Sequence, residues 1–168
     1  MFKKISEKEL LKTPIFDVVE KEFEGTNFKP IGINCPDWVL VHIYDEYGQV
    51  LVKQTRWGIE EETIEFPCGT VEPNEDPEDA AKRELEEETG LSDVNIQFVD
   101  EFNPNPACFK NKMYVFEGYV PDLENKLKAH KELKLDEYED CVPFFAHKHY
   151  RMTDTAITLA AKKVLCLD

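Results

Sequence analysis

Apolar and polar positions along the chain change period several times. Residues 15–33 alternate weakly, which predicts a pair of strands turning at Gly25, Thr26 and Asn27. Val39 to Tyr44 and Val50 to Gln54 are rich in β-branched and aromatic residues. The polar Asp45-Glu46-Tyr47-Gly48 between them predicts a hairpin. Pro67-Cys68-Gly69 breaks the next extended run. Asp76-Pro77 offers an N-cap followed by proline at the first helical position, and the helix should run to about Thr89 and stop at Gly90. Strand-like runs follow at 94–99 and 113–120. Residues 121–140 are charged and read as loop, and Val142 to Ala146 as a short strand. A last helix is expected from near Thr153, with Ala156, Ile157, Ala160, Ala161 and Val164 on one face. Strands interleaved with two well-signalled helices predict an α/β sandwich.

Within the first of these helices, Glu84, Glu87 and Glu88 sit at i, i+3 and i+4, so they project from one face. Like charge packed this way costs stability unless a cation fills the space. Ala80, Ala81 and Leu85 lie opposite and can anchor the helix on a sheet. Hard oxygen ligands suit Mg²⁺ or Mn²⁺. Taken alone, a glutamate-rich helix face is more often simply solvated.

Composition sharpens this reading. The chain has 168 residues, a length that fits one domain over 1–168. The net charge of −15 disfavours nucleic acid and repels phosphates unless a cation intervenes. Acidity of this kind also serves solubility. No apolar run approaches the length of a membrane span, and MFKKISEKELLK lacks the apolar core of a secretory signal. Cys35, Cys68, Cys108, Cys141 and Cys166 stand apart, an odd number with no CxxC. That pattern predicts reduced thiols and a cytoplasmic protein.

The spacing around the carboxylate helix is far more specific than its composition. Gly69 is followed after five residues by Glu75, then after seven by Arg83-Glu84-Leu85, then Glu87-Glu88, Thr89, Gly90 and Leu91. A chance match at the fixed positions is roughly 10⁻⁹ per start point. The segment resembles the Nudix box, and the likeness extends over about residues 13–165. It implies a Nudix-type α/β/α sandwich with a mixed sheet. It also implies that Glu84, Glu87 and Glu88, with the carbonyl of Cys68, bind Mg²⁺, for which Mn²⁺ can substitute. Gly69 would let the backbone turn tightly, and Glu75 and Arg83 would form an ion pair orienting the loop. Cys68 departs from the alanine or glycine usual before the box glycine, which matters little if only its carbonyl is used.

Features outside the box resemble the ADP-ribose pyrophosphatase and nucleotide-sugar hydrolase branch. Gln54-Thr55-Arg56 matches a strand end whose arginine reaches substrate phosphates; the alternative is an arginine paired with Glu61 or Glu65. Pro106 lies 16 residues after Gly90, as in ADP-ribose enzymes, although a proline there can simply form a turn. The acidic stretch 136–140 matches a late loop that orients or deprotonates water, with Glu137 the first candidate and Glu139 the second. Phe28 is the candidate for stacking on a base, and is otherwise a core residue. The branch implies a homodimer built through the N-terminal strand region, residues 1–35.

The expected activity is metal-dependent cleavage of the diphosphate of a small nucleoside diphosphate derivative, ADP-ribose or a nucleotide sugar. It would give a nucleoside monophosphate and a sugar phosphate, with no nucleic-acid or membrane partner. Two alternatives stand beside it: a Nudix hydrolase of nucleoside triphosphates or dinucleoside polyphosphates, and a non-catalytic nucleotide-sensing or protein-binding module.

Overall fold

A continuous apolar strand anchors the structure. Trp38–Tyr44 reads WVLVHIY, and Val39, Leu40, Val41 and Ile43 are all buried, as befits a strand covered on both faces. The computed structural model describes residues 3–131, 141–153 and 155–167. In chain order the strands are β1 (Lys4–Lys12), β2 (Asp17–Phe23), β3 (Ile31–Asn34), β4 (Trp38–Tyr44), β5 (Gly48–Arg56), β6 (Glu61–Glu65), β7 (Cys68–Thr70), β8 (Gln97–Phe102), β9 (Met113–Tyr119) and β10 (Cys141–His147). The helices are α1 (Pro77–Thr89), α2 (Leu123–Lys131) and α3 (Ala156–Val164).

The main sheet is mixed. Its path runs β10-β5-β4-β9-β8, with β4 and β9 parallel and the other pairs antiparallel; β6 joins β5 and β7 joins β4. Val39, Val41, Ile43 and Val50 point to one face. There they pack with Ala80, Ala81 and Leu85 of α1 and Leu123 and Leu127 of α2. Leu40, Leu51, Phe66, Met113 and Val115 point to the other, against Ile157, Ala161 and Val164 of α3. Two helical layers over one mixed sheet make the expected α/β/α sandwich.

A second, three-stranded sheet is ordered β1-β2-β3. Ile33 docks it to the main body, forming a parallel bridge with Phe109 and donating its N–H to the Cys108 carbonyl at 2.8 Å.

Three expectations are corrected, and one strand was not anticipated. β1 is a charged strand exposed along its length, so no burial pattern announces it; pairing with β2 holds it. β8 begins at Gln97 rather than residue 94, because Val94 and Ile96 turn into the α1-side core instead of joining the ladder. Residues 121–140 are not all loop. Leu123 and Leu127, four apart and buried, seat α2, and Leu123 N–H donates to the buried Asp45 carboxylate at 3.2 Å. α3 starts at Ala156, capped by the Thr155 hydroxyl, rather than near Thr153. No helix among the described residues is long and apolar enough to cross a membrane.

Candidate active site

Local signals fix α1 where the site needs it. The Asp76 carboxylate accepts from Glu78 N–H at 2.9 Å, Pro77 opens the helix, and Gly90 closes it at φ 74° with its N–H on the Glu86 carbonyl. Ala80, Ala81 and Leu85 face the sheet, and this sets Glu84 and Glu88 against β7.

The register of β7 aims its backbone at these carboxylates. Val41 N–H donates to the Pro67 carbonyl, so Leu40 and Cys68 form a non-hydrogen-bonded pair across β4 and β7. The N–H and carbonyl of Cys68, and those of Thr70, therefore point away from β4 toward α1. Cys68 N–H donates to Glu88 Oε2 at 2.9 Å, and Thr70 N–H to Glu84 Oε1 at 3.1 Å. The Thr70 carbonyl accepts from Arg83 Nη2 at 2.9 Å. Among the described residues, the Cys68 carbonyl is the member of this set with no protein donor.

Gly69 stands between these two residues because nothing larger fits, not for the expected tight turn: it lies within β7, paired with Val39. A Cβ there would lie 1.9 Å from Glu84 Cδ. Arg83 binds Glu75 through two hydrogen bonds, 2.9 and 3.0 Å long, and its Nη1 also reaches Glu84 at 2.9 Å and Glu87 at 3.2 Å. Glu75 in turn accepts from Glu72 N–H, and Arg83 holds its carboxyl below the usual carboxylate range. Loop and helix are thus cross-tied.

Burial, with the Glu84 charge beside it, pushes the Glu88 carboxyl up to about 7. A carboxylate so raised is one that a nearby cation would restore to its charged form. As they stand, no three His, Cys, Asp or Glu side chains among the described residues converge on a metal position. Glu84 and Glu87 are instead occupied by Arg83, and Glu87 is half exposed. The donors are nevertheless all oxygen: two carboxylates beside a carbonyl without a protein donor. That chemistry fits a hard divalent cation, and Mg²⁺ needs few protein ligands because it keeps several waters.

Arg56, at the end of β5, takes the pairing the sequence offered as an alternative. It binds Glu65 with Nε at 3.1 Å and Nη2 at 2.6 Å, and Nη2 also lies 3.4 Å from Cys68 Sγ. The pair remains beside the box, since Arg56 and Glu88 sense each other's charge. Burial pushes Glu65 up, but the Arg56 guanidinium brings it below its ordinary value. Sequence reasoning did not place Glu65 in the site, nor Cys141. The Cys141 thiol lies against Glu88, and burial beside that carboxylate pushes it up to about 12. The pairing of Val52 with Glu65 puts Glu65 on the same face as Arg56, a relation visible only once the register is known.

Pro106 lies apart from the box, lining a groove of about 420 Å³ with Pro30, Ile31 and Gly32. Phe28 is 71 % exposed in the loop before β3, so it is not a core residue. Glu137 and Glu139 lie outside the described residues.

The fold and these side chains define an α/β sandwich with a carboxylate-bearing helix set against a strand whose glycine makes room for it. The NUDIX domain model matches residues 35–163, and the chain belongs to the Nudix family as a Nudix pyrophosphohydrolase. It is 29 % identical over 170 residues to the ADP-ribose pyrophosphatase of Bacillus subtilis, covering 99 % of this chain and 90 % of that protein. It is 41 % identical over 61 residues to the 8-oxo-dGTP diphosphatase of Haemophilus influenzae, covering 36 % of this chain and 45 % of that one. A crystal structure of an ADP compounds hydrolase superposes with a TM-score of 0.71 at 19 % identity, over 98 % of this chain and 92 % of that chain. Nudix hydrolases generally use divalent metals.

Proposed function

We propose that this enzyme hydrolyses the diphosphate of ADP-ribose or a nucleotide sugar, with Mg²⁺ or Mn²⁺, to a nucleoside monophosphate and a sugar phosphate. The observation that carries this reading is the joint placement of Glu84, Glu88 and the Cys68 carbonyl around Gly69. Likeness along nearly the whole chain to an ADP-ribose pyrophosphatase favours this substrate class.

Glu84, Glu87, Glu88 and the Cys68 carbonyl would hold the metal. When bound, the metal supplies charge neutralisation for the diphosphate and lowers the pKa of water. The residues of the chain do the positioning, which carries most of the rate in such transfers. Arg83, anchored on Glu75 and the Thr70 carbonyl, fixes the spacing of helix and strand. Arg56, held by Glu65 through Nε and Nη2, offers Nη1 to phosphate oxygens. Pro106, on the groove beside β3, contacts the part of the substrate beyond the diphosphate, and Phe28 offers a face to the base. Glu137, or Glu139, positions or deprotonates the attacking water.

We assign the chain a single catalytic domain that works as a cytoplasmic homodimer through β1–β3. Ile5, Leu10, Leu11, Ile15 and Phe16 leave apolar surface exposed on and around those strands.

A second reading, hydrolysis of nucleoside triphosphates, is favoured by the box-length likeness to an 8-oxo-dGTP diphosphatase. One panel separates the two: ADP-ribose, nucleotide sugars, dinucleoside polyphosphates and nucleoside triphosphates, with phosphatase-coupled phosphate release. ADP-ribose or a nucleotide sugar should give the highest kcat/KM. Preference for a triphosphate would overturn the substrate assignment, and no turnover of any member would overturn the reading itself.

A further inference from the structure

The groove that Pro106 lines carries a charge pattern unlike the rest of this acidic surface. Lys21 and Lys110 both line it, and neither forms an ion pair among the described residues. Lys21 is the less expected of the two. It lies on β2, the middle strand of its sheet, so it is not guarding an open edge. It shares a strand face with Val19, which is only 4 % exposed, so it stands where alternation calls for another apolar side chain.

Room for its ammonium comes from Gly32 on β3. A Cβ at that position would meet Lys21 Nζ at 2.6 Å and Cε at 2.9 Å. The absent side chain thus lets Lys21 lie across β3 into the groove. Asn103 lines the same space. Its Nδ2 is committed to the Phe109 and Asn111 carbonyls, while its buried Oδ1 has no partner among the described residues. A buried acceptor left in this way costs free energy unless a ligand donor meets it.

A run of backbone neighbours connects the segment that carries Lys110 to the box. Thr70, Trp38 and Met113 lie side by side across β7, β4 and β9, and Thr70 N–H is the group that holds Glu84. Lys112, two residues past Lys110, accepts from Trp38 N–H through its carbonyl.

We propose that this groove binds a phosphate-bearing group of the substrate, separate from the diphosphate that is cut. Lys21 and Lys110 recognise the phosphate, and Asn103 Oδ1 takes a hydroxyl or amino donor beside it. The inference rests on the hydrolase reading for its word "substrate", but the groove is tested by binding alone. The enzyme would then favour a nucleoside diphosphate linked to a phosphorylated group over its unphosphorylated counterpart.

Isothermal titration calorimetry on the full chain in EDTA separates binding from turnover. The probes are ADP-ribose and ADP-ribose carrying a phosphate monoester on the distal ribose. The phosphorylated probe should bind about tenfold tighter, as two exposed charge-assisted contacts allow. That advantage should fall toward one in Lys21→Met/Lys110→Met. It should also shrink in Gly32→Ala, which displaces the Lys21 ammonium while keeping its charge. Circular dichroism checks that each variant is folded. Equal binding of the two probes to the native chain, or an advantage that survives the double variant, overturns the proposal. Millimolar inorganic phosphate should erase the advantage; an advantage it leaves intact means that the phosphate is read elsewhere and sinks the assignment. If the advantage holds but neither probe is hydrolysed with Mg²⁺, the groove stands and the hydrolase reading fails.

Discussion

Gly69 and Glu84 share one space: a Cβ on residue 69 would lie 1.9 Å from the Glu84 carboxyl carbon and 2.1 and 2.2 Å from its oxygens. The glycine leaves the volume in which the carboxylate meets Thr70 N–H and Arg83.

Gly69→Ala should therefore spare the fold and damage the site. The clashing group ends a flexible side chain, so the helix can stay while Glu84 swings out and loses its two partners. Displacement of a metal-facing carboxylate by an ångström or so should lower kcat by about 10²-fold. Steady-state kinetics and a melting curve check this. Native kcat with an unchanged melt would mean that Glu84 is not needed where it stands.

Glu87 and Glu88 should both be required for metal-dependent turnover, yet differ in their effect on stability. Glu88 is raised to about 7 by burial and the Glu84 charge, so Glu88→Gln removes a charge the metal-free fold tolerates poorly. The variant should melt at the same or a higher temperature than the native chain in EDTA. Glu87 is half exposed and its replacement should leave the melt nearly unchanged. Both variants should lose kcat by orders of magnitude with Mg²⁺. Chelation of the native chain should abolish activity and leave the circular dichroism spectrum intact. Unfolding on chelation would point to a structural metal instead.

The parts legible in the sequence were those set by near neighbours. Asp76, Pro77 and Gly90 bound α1 correctly because a cap, a fixed φ and a left-handed turn act within a few residues. Runs of β-branched and aromatic residues placed β4, β5 and β9 because their burial is strong. α2 was missed because its seat depends on Asp45, 78 residues earlier, and β1 because it buries nothing. The same distinction holds in the site. The spacing of Glu84, Glu87 and Glu88 on one helix was readable, whereas the pairing of Arg56 with Glu65 was not: the β5–β6 register sets Glu61 opposite Arg56 and Glu65 opposite Val52, on the same face, and only the side-chain conformation chooses between them.

His42 should make the protein less stable in mild acid. It is buried, its Nε2 lies 3.1 Å from Gln49 Oε1, and its Nδ1 has no partner among the described residues. Burial lowers its pKa from 6.5 to about 4. The unfolded chain therefore binds a proton between those values that the folded chain refuses, so stability is full above 6.5 and is lost as pH falls toward 4. The loss amounts to about 3 kcal/mol across the window. Urea denaturation at several pH values should show this slope, and His42→Leu should flatten it even if its overall stability differs. An equal slope in the variant would assign the acid sensitivity to other groups.

Glu137 should position or activate the attacking water. Carboxylates committed to a metal would leave that task unassigned within the box, and the acidic stretch 136–140 carries the proposed base. It runs directly into Cys141, whose thiol lies against Glu88, so the chain leaving this stretch enters the site. A general base contributes about 10²–10⁴-fold. Glu137→Gln should lower kcat by an amount in that range with little change in KM, because the lost interaction belongs to the transition state. Glu139→Gln serves as both control and rival. Loss of rate in the Glu139 variant alone would move the base two residues along the chain. Native rates in both would leave water activation to the metal, with the acidic stretch no more than a solvated turn.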